Sequence, residues 1–480
     1  MADSVKNTVA NSMWWKMLER FSSQFMNLFI QIVLARLLLP EDFGSLAIIS
    51  AIIGYCAIFV QSGLSTALVQ KKELEEKDAP TLLTVSLLIS LLLYIPLFIL
   101  SPTIANYYHQ IDLVWPLRVE ALILFLGAIN SIQTAIYQRR MDFRALFFRS
   151  LLAVPISGVV GIIMAYKGFG IWSLVAQSIL HYVLFIVFMS FDHSVRIGFA
   201  FSKKSAKVLY AFSGKILISN LVSGLGDTVR TMTIGKKYSS GQLAYYDKAY
   251  SYSSLVTQVV TTSMASVLLP TFSRFQDERS SLLRMSRLSV QLVLFVMMPV
   301  LVGVAISSEP LVILLLSEKW APCVPFLIIF CFLRLPGCVT TIDKQVYFSI
   351  GNSSIALFYE IGLLAANLIV LFFTVRISIM AIAIGATLIE LIGNFVLCVI
   401  SSKVYSYSLK SRFLDLWRPA LCSVVMAIVG LSVYMLHLNH ILTLIFQVIL
   451  CVLTYYLMSI WINKEMLIYV KSIIKSKIKL

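Results

Sequence analysis

The chain has 480 residues, 59% of them hydrophobic and only 13% charged, with a mean hydropathy of +0.88. Soluble domains hold about 45–50% apolar residues, so a water-solvated globule is excluded and a polytopic membrane protein is implied. The net charge of +16, from 39 Lys+Arg against 23 Asp+Glu, sits in short clusters between apolar runs; that argues against a nucleic-acid surface and for orientation in a bilayer.

A helix needs about 20 apolar residues to cross a hydrocarbon core of about 30 Å, with its backbone polar groups satisfied internally. That measure predicts fourteen spans. The first, 13–36, follows an N-terminus without the basic region and small-residue cleavage site of a secretory signal, so it is expected to stay in the mature chain. It carries Arg20, Gln24, Asn27 and Gln31, whose steps of four, three and four place them on one helical stripe. Spans at 43–69, 81–101, 114–137, 146–166 and 169–191 complete a first group of six. The seventh, 208–235, repeats the device with Asn220, Ser223, Asp227 and Arg230, and Lys215 lies one turn below them. Spans at 250–272, 288–307, 322–342, 355–375 and 377–400 complete a second group, and 416–436 and 440–462 follow with a basic tail. The connections are too short for an extramembrane catalytic domain.

Five cations fall inside spans: Arg20, Arg118, Lys215, Arg230 and Arg334. Each costs about 2.5–3.5 kcal/mol at a helix centre on insertion scales, so lipid-facing positions are disfavoured unless the side chain snorkels, as Arg118 near an outer end is expected to do. The two stripes admit two readings: a water-filled cavity between repeat-related halves, or interhelical hydrogen bonds and an Asp227–Arg230 pair that hold the bundle together. Glu19, Glu360 and Glu390, like Asp227, are intramembrane carboxylates suited either to coupling sodium or protons or to serving as counter-ions. No cofactor or metal site is expected. The seven cysteines lack CxxC spacing, and His437 and His440 fall in a short loop.

With residues at the span ends counted with the adjoining segments, Lys and Arg divide as twenty-seven on the side of the termini against seven on the other, which places both termini in the cytoplasm. Trp14, Trp15, Trp417 and Trp461 near inner ends, and Tyr107, Tyr108, Trp115, Trp172 and Trp320 near outer ends, are expected to form the aromatic belts. Gly44-Ser-Leu-Ala47 returns as Gly241-Gln-Leu-Ala244, an offset of 197 shared by Gln61 and Gln258. Two six-helix halves would keep the sense of each helix, as parallel repeats do in transporters. The expected organisation is 1–200 for helices 1–6, 201–402 for helices 7–12, and 403–480 for two further helices and the tail.

Leu34-Ala-Arg-Leu-Leu-Leu-Pro-Glu-Asp-Phe-Gly44, Gln61-Ser-Gly-Leu-Ser-Thr-Ala-Leu-Val-Gln-Lys-Lys72 and Arg140-Met-Asp-Phe143 resemble the bacterial oligosaccharide flippases of surface-polysaccharide synthesis. So do Gly168-Phe-Gly-Ile-Trp172, Ile234-Gly-Lys-Lys-Tyr238, Tyr245-Tyr-Asp-Lys-Ala249, Leu269-Pro-Thr-Phe-Ser-Arg274 and Ser317-Glu-Lys-Trp320, where Ser317 replaces the family's usual glycine. The similarity covers residues 10 to 340 and is greatest to colanic and teichuronic acid exporters, in the superfamily (MOP) shared with MATE drug extruders and the peptidoglycan lipid flippase.

The resemblance implies an all-α integral membrane fold, with two six-helix lobes in a V and two appended helices. It also implies an undecaprenyl-pyrophosphate-linked oligosaccharide as substrate, a bacterial inner-membrane location, and polymerase and glycosyltransferases as pathway neighbours. On this reading Arg20, Lys215 and Arg230 meet the pyrophosphate or acidic sugars, and Gln24, Asn27, Gln31 and Asn220 meet hydroxyls. The rival readings are a multidrug antiporter of the same architecture, which would want an acidic cavity, and a membrane-embedded polymerase, which would want larger outer loops.

Overall fold

The computed structural model describes residues 2–61, 67–69, 71, 75–192, 198–276 and 278–478; the side chains of 2–13, 208–213, 215, 216, 259, 262, 263, 265, 266 and 473–478 lie outside the description. Among the described residues there are helices and no strands. Two compact units divide the chain, Met1–Ala244 and Tyr245–Leu480.

The first unit contains α1 (Ala2–Leu37), α2 (Pro40–Gln61), α3 (Asp78–Tyr107), α4 (Val114–Glu120), α5 (Ile123–Arg139), α6 (Phe143–Tyr166), α7 (Ile171–Ser190) and α8 (Lys203–Lys237). Next, α9 (Ser240–Ser273) starts at its end and continues into the second unit. That unit holds α10 (Arg279–Ile306), α11 (Ser308–Leu316), α12 (Val324–Ser349), α13 (Ser353–Thr374), α14 (Ile379–Val404), α15 (Leu409–Ser432), α16 (His440–Ile462) and α17 (Lys464–Ile478).

The predicted spans fall mostly on helix over their described parts, with a turn at Ala121–Leu122 inside 114–137, and among the described residues eleven segments, against the fourteen expected, are long and apolar enough to cross a membrane. Helices α1, α8 and α9 have the length, at 36, 35 and 34 residues, but polar side chains interrupt their apolar faces. Their ends are set by local chemistry. Asp142, Ser202, Ser378, Ser408 and Asn439 each accept a hydrogen bond from the backbone N–H three residues on, which satisfies a donor that the first turn leaves orphaned.

In the first unit α6 packs on α1 and α7, and α5 packs on α2, α3 and α7. Leu82, Leu83, Ile132 and Ala135 form one buried cluster, and Tyr137, Leu146, Ala153, Phe185 and Met189 another. Here α8 packs on α2 and α3. At one end the Ser202 N–H donates to Thr81 (3.0 Å), Thr84 donates to the Ala200 carbonyl (3.1 Å), and Lys204 meets Glu75 (3.3 Å). At the other, Gln110 accepts from Ser45 (2.8 Å) and donates to Ser240 (2.9 Å), while Lys236 donates to the Tyr107 carbonyl. A Cβ on Gly44 would stand 1.8 Å from the Ser240 carbonyl oxygen, so only glycine permits this approach.

In the second unit α10 packs on α12 and α15, α12 on α14, and α15 on α16. Two aromatic expectations change. Trp320 is fully buried, its ring 5.8 Å from that of Tyr245, and Tyr108 is buried too; both are core residues. Trp115, Tyr107, Trp417 and Trp461 are exposed, as headgroup-seeking rings should be.

Candidate functional site

A polar cavity of about 370 Å³ lies within the first unit. Helix α1 lines it with Glu19, Ser23 and Asn27, one turn apart; α5 lines it with Asn130, Thr134 and Gln138, also one turn apart; α7 adds His181 and Tyr182. Gln61 enters from the end of α2 because Gly127 leaves room, since a Cβ there would lie 2.1 Å from the Gln61 Nε2. Thr134 donates to the Asn130 side-chain oxygen (3.0 Å), which fixes that amide. Amides, hydroxyls, an imidazole and one carboxyl thus face a common space in a bundle otherwise built of aliphatic contacts.

The predicted stripe of α1 is only partly in this site. Glu19 and Asn27 line the cavity, whereas Arg20, Gln24 and Gln31 do not. Arg20 is exposed, and Gln24 and Gln31 are half-buried. The lining row runs Glu19–Ser23–Asn27, about 100° round the helix from the row through Arg20 and Gln24.

On α8, Asn220, Ser223 and Asp227 are exposed, and Arg230 forms an ion pair with Asp227 while its side chain is only 13% exposed. Ser223 turns its hydroxyl back to the Ser219 carbonyl (2.9 Å). The side chain of Lys215 lies outside the described residues.

The other intramembrane cations hold helices together. Arg118 donates to the Ser101 hydroxyl (2.7 Å) and lies 4.1 Å from the centre of the Phe98 ring and 5.0 Å from that of exposed Trp115. Arg334 donates to the Tyr250 carbonyl (3.1 Å) and stacks on that ring at 4.2 Å. Of the other acids, Glu360 is paired with Lys344, and Glu390 is half-buried on α14, where Asn394 one turn on donates to Thr340 (3.1 Å).

Several polar residues escaped the sequence reading. Asn130, Thr134 and Gln138 obey the same four-residue rule as the α1 row, but carry no charge to draw attention to it. Glu120 is buried on α4 with one carboxyl oxygen unpartnered. In the second unit, buried Asp343 receives both Arg412 nitrogens (3.0 and 2.7 Å) and the Tyr405 hydroxyl. Asp415 likewise receives Arg287 twice (2.7 and 2.9 Å), Gln291 (2.6 Å) and Tyr407 (2.8 Å).

The family described as "Polysaccharide biosynthesis protein" matches residues 33–325. The succinoglycan biosynthesis transport protein ExoT of Rhizobium meliloti (strain 1021) is 26% identical over 67% of this chain and 65% of its own length. The teichuronic acid biosynthesis protein TuaB of Bacillus subtilis (strain 168) is 22% identical over 79% of each chain. Among solved structures, the lipid II flippase MurJ in an inward closed conformation superposes with a TM-score of 0.77 at 18% identity, over 94% of this chain and 99% of its own. The fold is therefore that of MurJ, and the chain is a multi-pass protein of the bacterial inner membrane.

Proposed function

The chain belongs to the polysaccharide biosynthesis protein family, and on that premise we propose that it is a flippase, not an enzyme, moving undecaprenyl-pyrophosphate-linked oligosaccharide repeat units from the inner to the outer leaflet. The observation that carries the reading is the polar cavity of the first unit, in a chain of MurJ-like fold whose relatives are named for succinoglycan biosynthesis transport and teichuronic acid biosynthesis. Lipid cannot solvate a cavity lined by Glu19, Asn27, Gln61, Asn130 and His181, so water or a polar ligand must occupy it at some stage of the cycle.

The substrate has an anionic pyrophosphate, a polar glycan and a tail that can remain in lipid. Arg20, Lys215 and Arg230 pair with the pyrophosphate or with acidic sugars. Gln24, Asn27, Gln31, Asn220 and Ser223 serve hydroxyls, and Asp227 holds Arg230 until substrate shares it. Of the four carboxylates suited to coupling, Asp227 and Glu360 are in ion pairs with Arg230 and Lys344 and Glu390 is half-buried on α14, whereas Glu19 lines the polar cavity beside Asn27, Asn130 and His181. We assign Glu19 as the group that takes up the coupling proton or sodium ion.

Transport proceeds by alternating access, with 1–200 and 201–402 moving as lobes, 403–480 appended, and both termini in the cytoplasm. The contacts of α8 with α2 and α3 are those such a movement makes and breaks. Replacing both cations, Arg20→Ala with Arg230→Ala, abolishes surface polysaccharide while the protein still inserts at normal level. Normal export by the double variant removes the assignment, and increased drug resistance conferred by the wild type would favour the multidrug reading.

A further inference from the structure

Two cavities lie against the start of α17. The larger is an almost wholly apolar groove of about 550 Å³ between α10 and α16, lined among others by Pro299, Val300, Gly303, Val448, Val452 and Leu467. The smaller, about 220 Å³, is polar and is lined by Arg287, Gln291, Trp417, Arg418, Asn463 and Glu465 together with Met466. Met466 lines the polar pocket and Leu467 the apolar groove, so neighbouring faces of the first turn of α17 border both.

The polar pocket sets two cations, Arg287 and Arg418, against Asp415 and Glu465, and both cations keep exposed surface. Asp415 is satisfied by four hydrogen bonds, and Arg287 uses only Nε and Nη2 on it, leaving a side chain 43% exposed. Arg418 is 46% exposed and stands 3.7 Å from Glu465, itself 89% exposed, a loose surface pair of the kind a phosphate displaces at little cost. Lys464 is exposed between the lining residues Asn463 and Glu465. Exposed Trp417 and Trp461 mark the depth as that of the headgroups. Beyond Lys471, α17 continues with Lys475 and Lys477.

We propose that the paired cavities bind an anionic membrane phospholipid, with one acyl chain in the groove and the phosphate among Arg287, Arg418 and Lys464. Charge decides the occupant: basic pockets between helices on the cytoplasmic side favour anionic headgroups, and a zwitterionic lipid would gain nothing from the lysine-rich helix. The site is independent of the transport reading; only its placement in the inner leaflet rests on the orientation proposed above.

The test is native mass spectrometry of the purified full-length protein in neutral detergent, with phosphatidylglycerol, phosphatidylcholine or undecaprenyl phosphate added. Phosphatidylglycerol is expected to remain bound one to one under conditions that strip phosphatidylcholine. The variant Arg418→Gln with Lys464→Gln should weaken its retention at least about tenfold, and Val452→Trp, which fills the groove, should do the same. Lys403→Gln with Lys410→Gln, exposed cations outside the pocket, should leave retention unchanged. Equal retention of the two phospholipids, undiminished retention by the pocket and groove variants, or displacement of phosphatidylglycerol by equimolar undecaprenyl phosphate overturns the proposal. None of these outcomes depends on export activity.

Discussion

Glu19, Ser23 and Asn27 repeat at one turn down α1 and look across at Asn130, Thr134 and Gln138 repeating at one turn down α5. A carboxyl that lines a polar cavity with amides and hydroxyls can take up a proton or a sodium ion there, whereas Asp227 and Glu360 must first release Arg230 and Lys344. Glu19→Gln should therefore leave the protein at its normal level in the membrane and remove the dependence of export on the ion gradient, with export itself largely lost. Glu19→Asp, which keeps the charge on a shorter arm, should retain part of it. Wild-type export by Glu19→Gln with unchanged gradient dependence, measured in energised vesicles, contradicts the assignment. The sequence revealed that α1 is polar on one side; the row that lines the cavity within the first unit lies one residue from the predicted stripe, which concerns a cavity between the two halves. Rows 19–23–27 and 20–24–27–31 share Asn27 and are both polar, so only the positions of α5 and α7 decide between them.

Helix α15 is fastened by its first two turns. Arg412 reaches Asp343 on α12, and Asp415 receives Arg287 and Gln291 from α10, with Tyr405 and Tyr407 closing the two networks from the preceding connection. Asp343 and Arg412 are both buried, at 0% and 8% side-chain exposure, so removing one partner strands the other. Such a loss costs about 3–5 kcal/mol, and Asp343→Ala should lower the melting temperature in detergent sharply. Asp343→Ala with Arg412→Ala, which strands neither charge, should recover part of the loss; a melting temperature for Asp343→Ala equal to wild type would show that the pair does not fasten α15. These networks were illegible in the sequence. Asp343 falls just beyond the span 322–342, Arg412 just before 416–436, and a separation of 69 residues offers no periodicity to link them. The helices themselves were legible, because a hydrocarbon solvent demands long apolar runs bounded by polar ones and tolerates little ambiguity.

At the scale of the molecule, the predicted spans fall mostly on helix, while α1, α8 and α9 depart from simple apolar spans, and α1 and α8 carry the polar residues on which the transport reading depends. A helix that lines water in one state and packs in another cannot be apolar all round. Where α2 and the start of α9 meet, Gly44 admits the Ser240 carbonyl and Gln110 ties Ser45 to Ser240. The central claim is that this chain carries a lipid-linked glycan across the bilayer, and the sidedness of that glycan tests it most directly. In cells with an otherwise intact polysaccharide pathway, spheroplasts are treated with an impermeant glycan-oxidising reagent, and the undecaprenyl-linked repeat unit is recovered and scored for modification. The account predicts a modified pool when the wild-type protein is present and an accumulated, unmodified pool when it is absent; equal modification in both would contradict it.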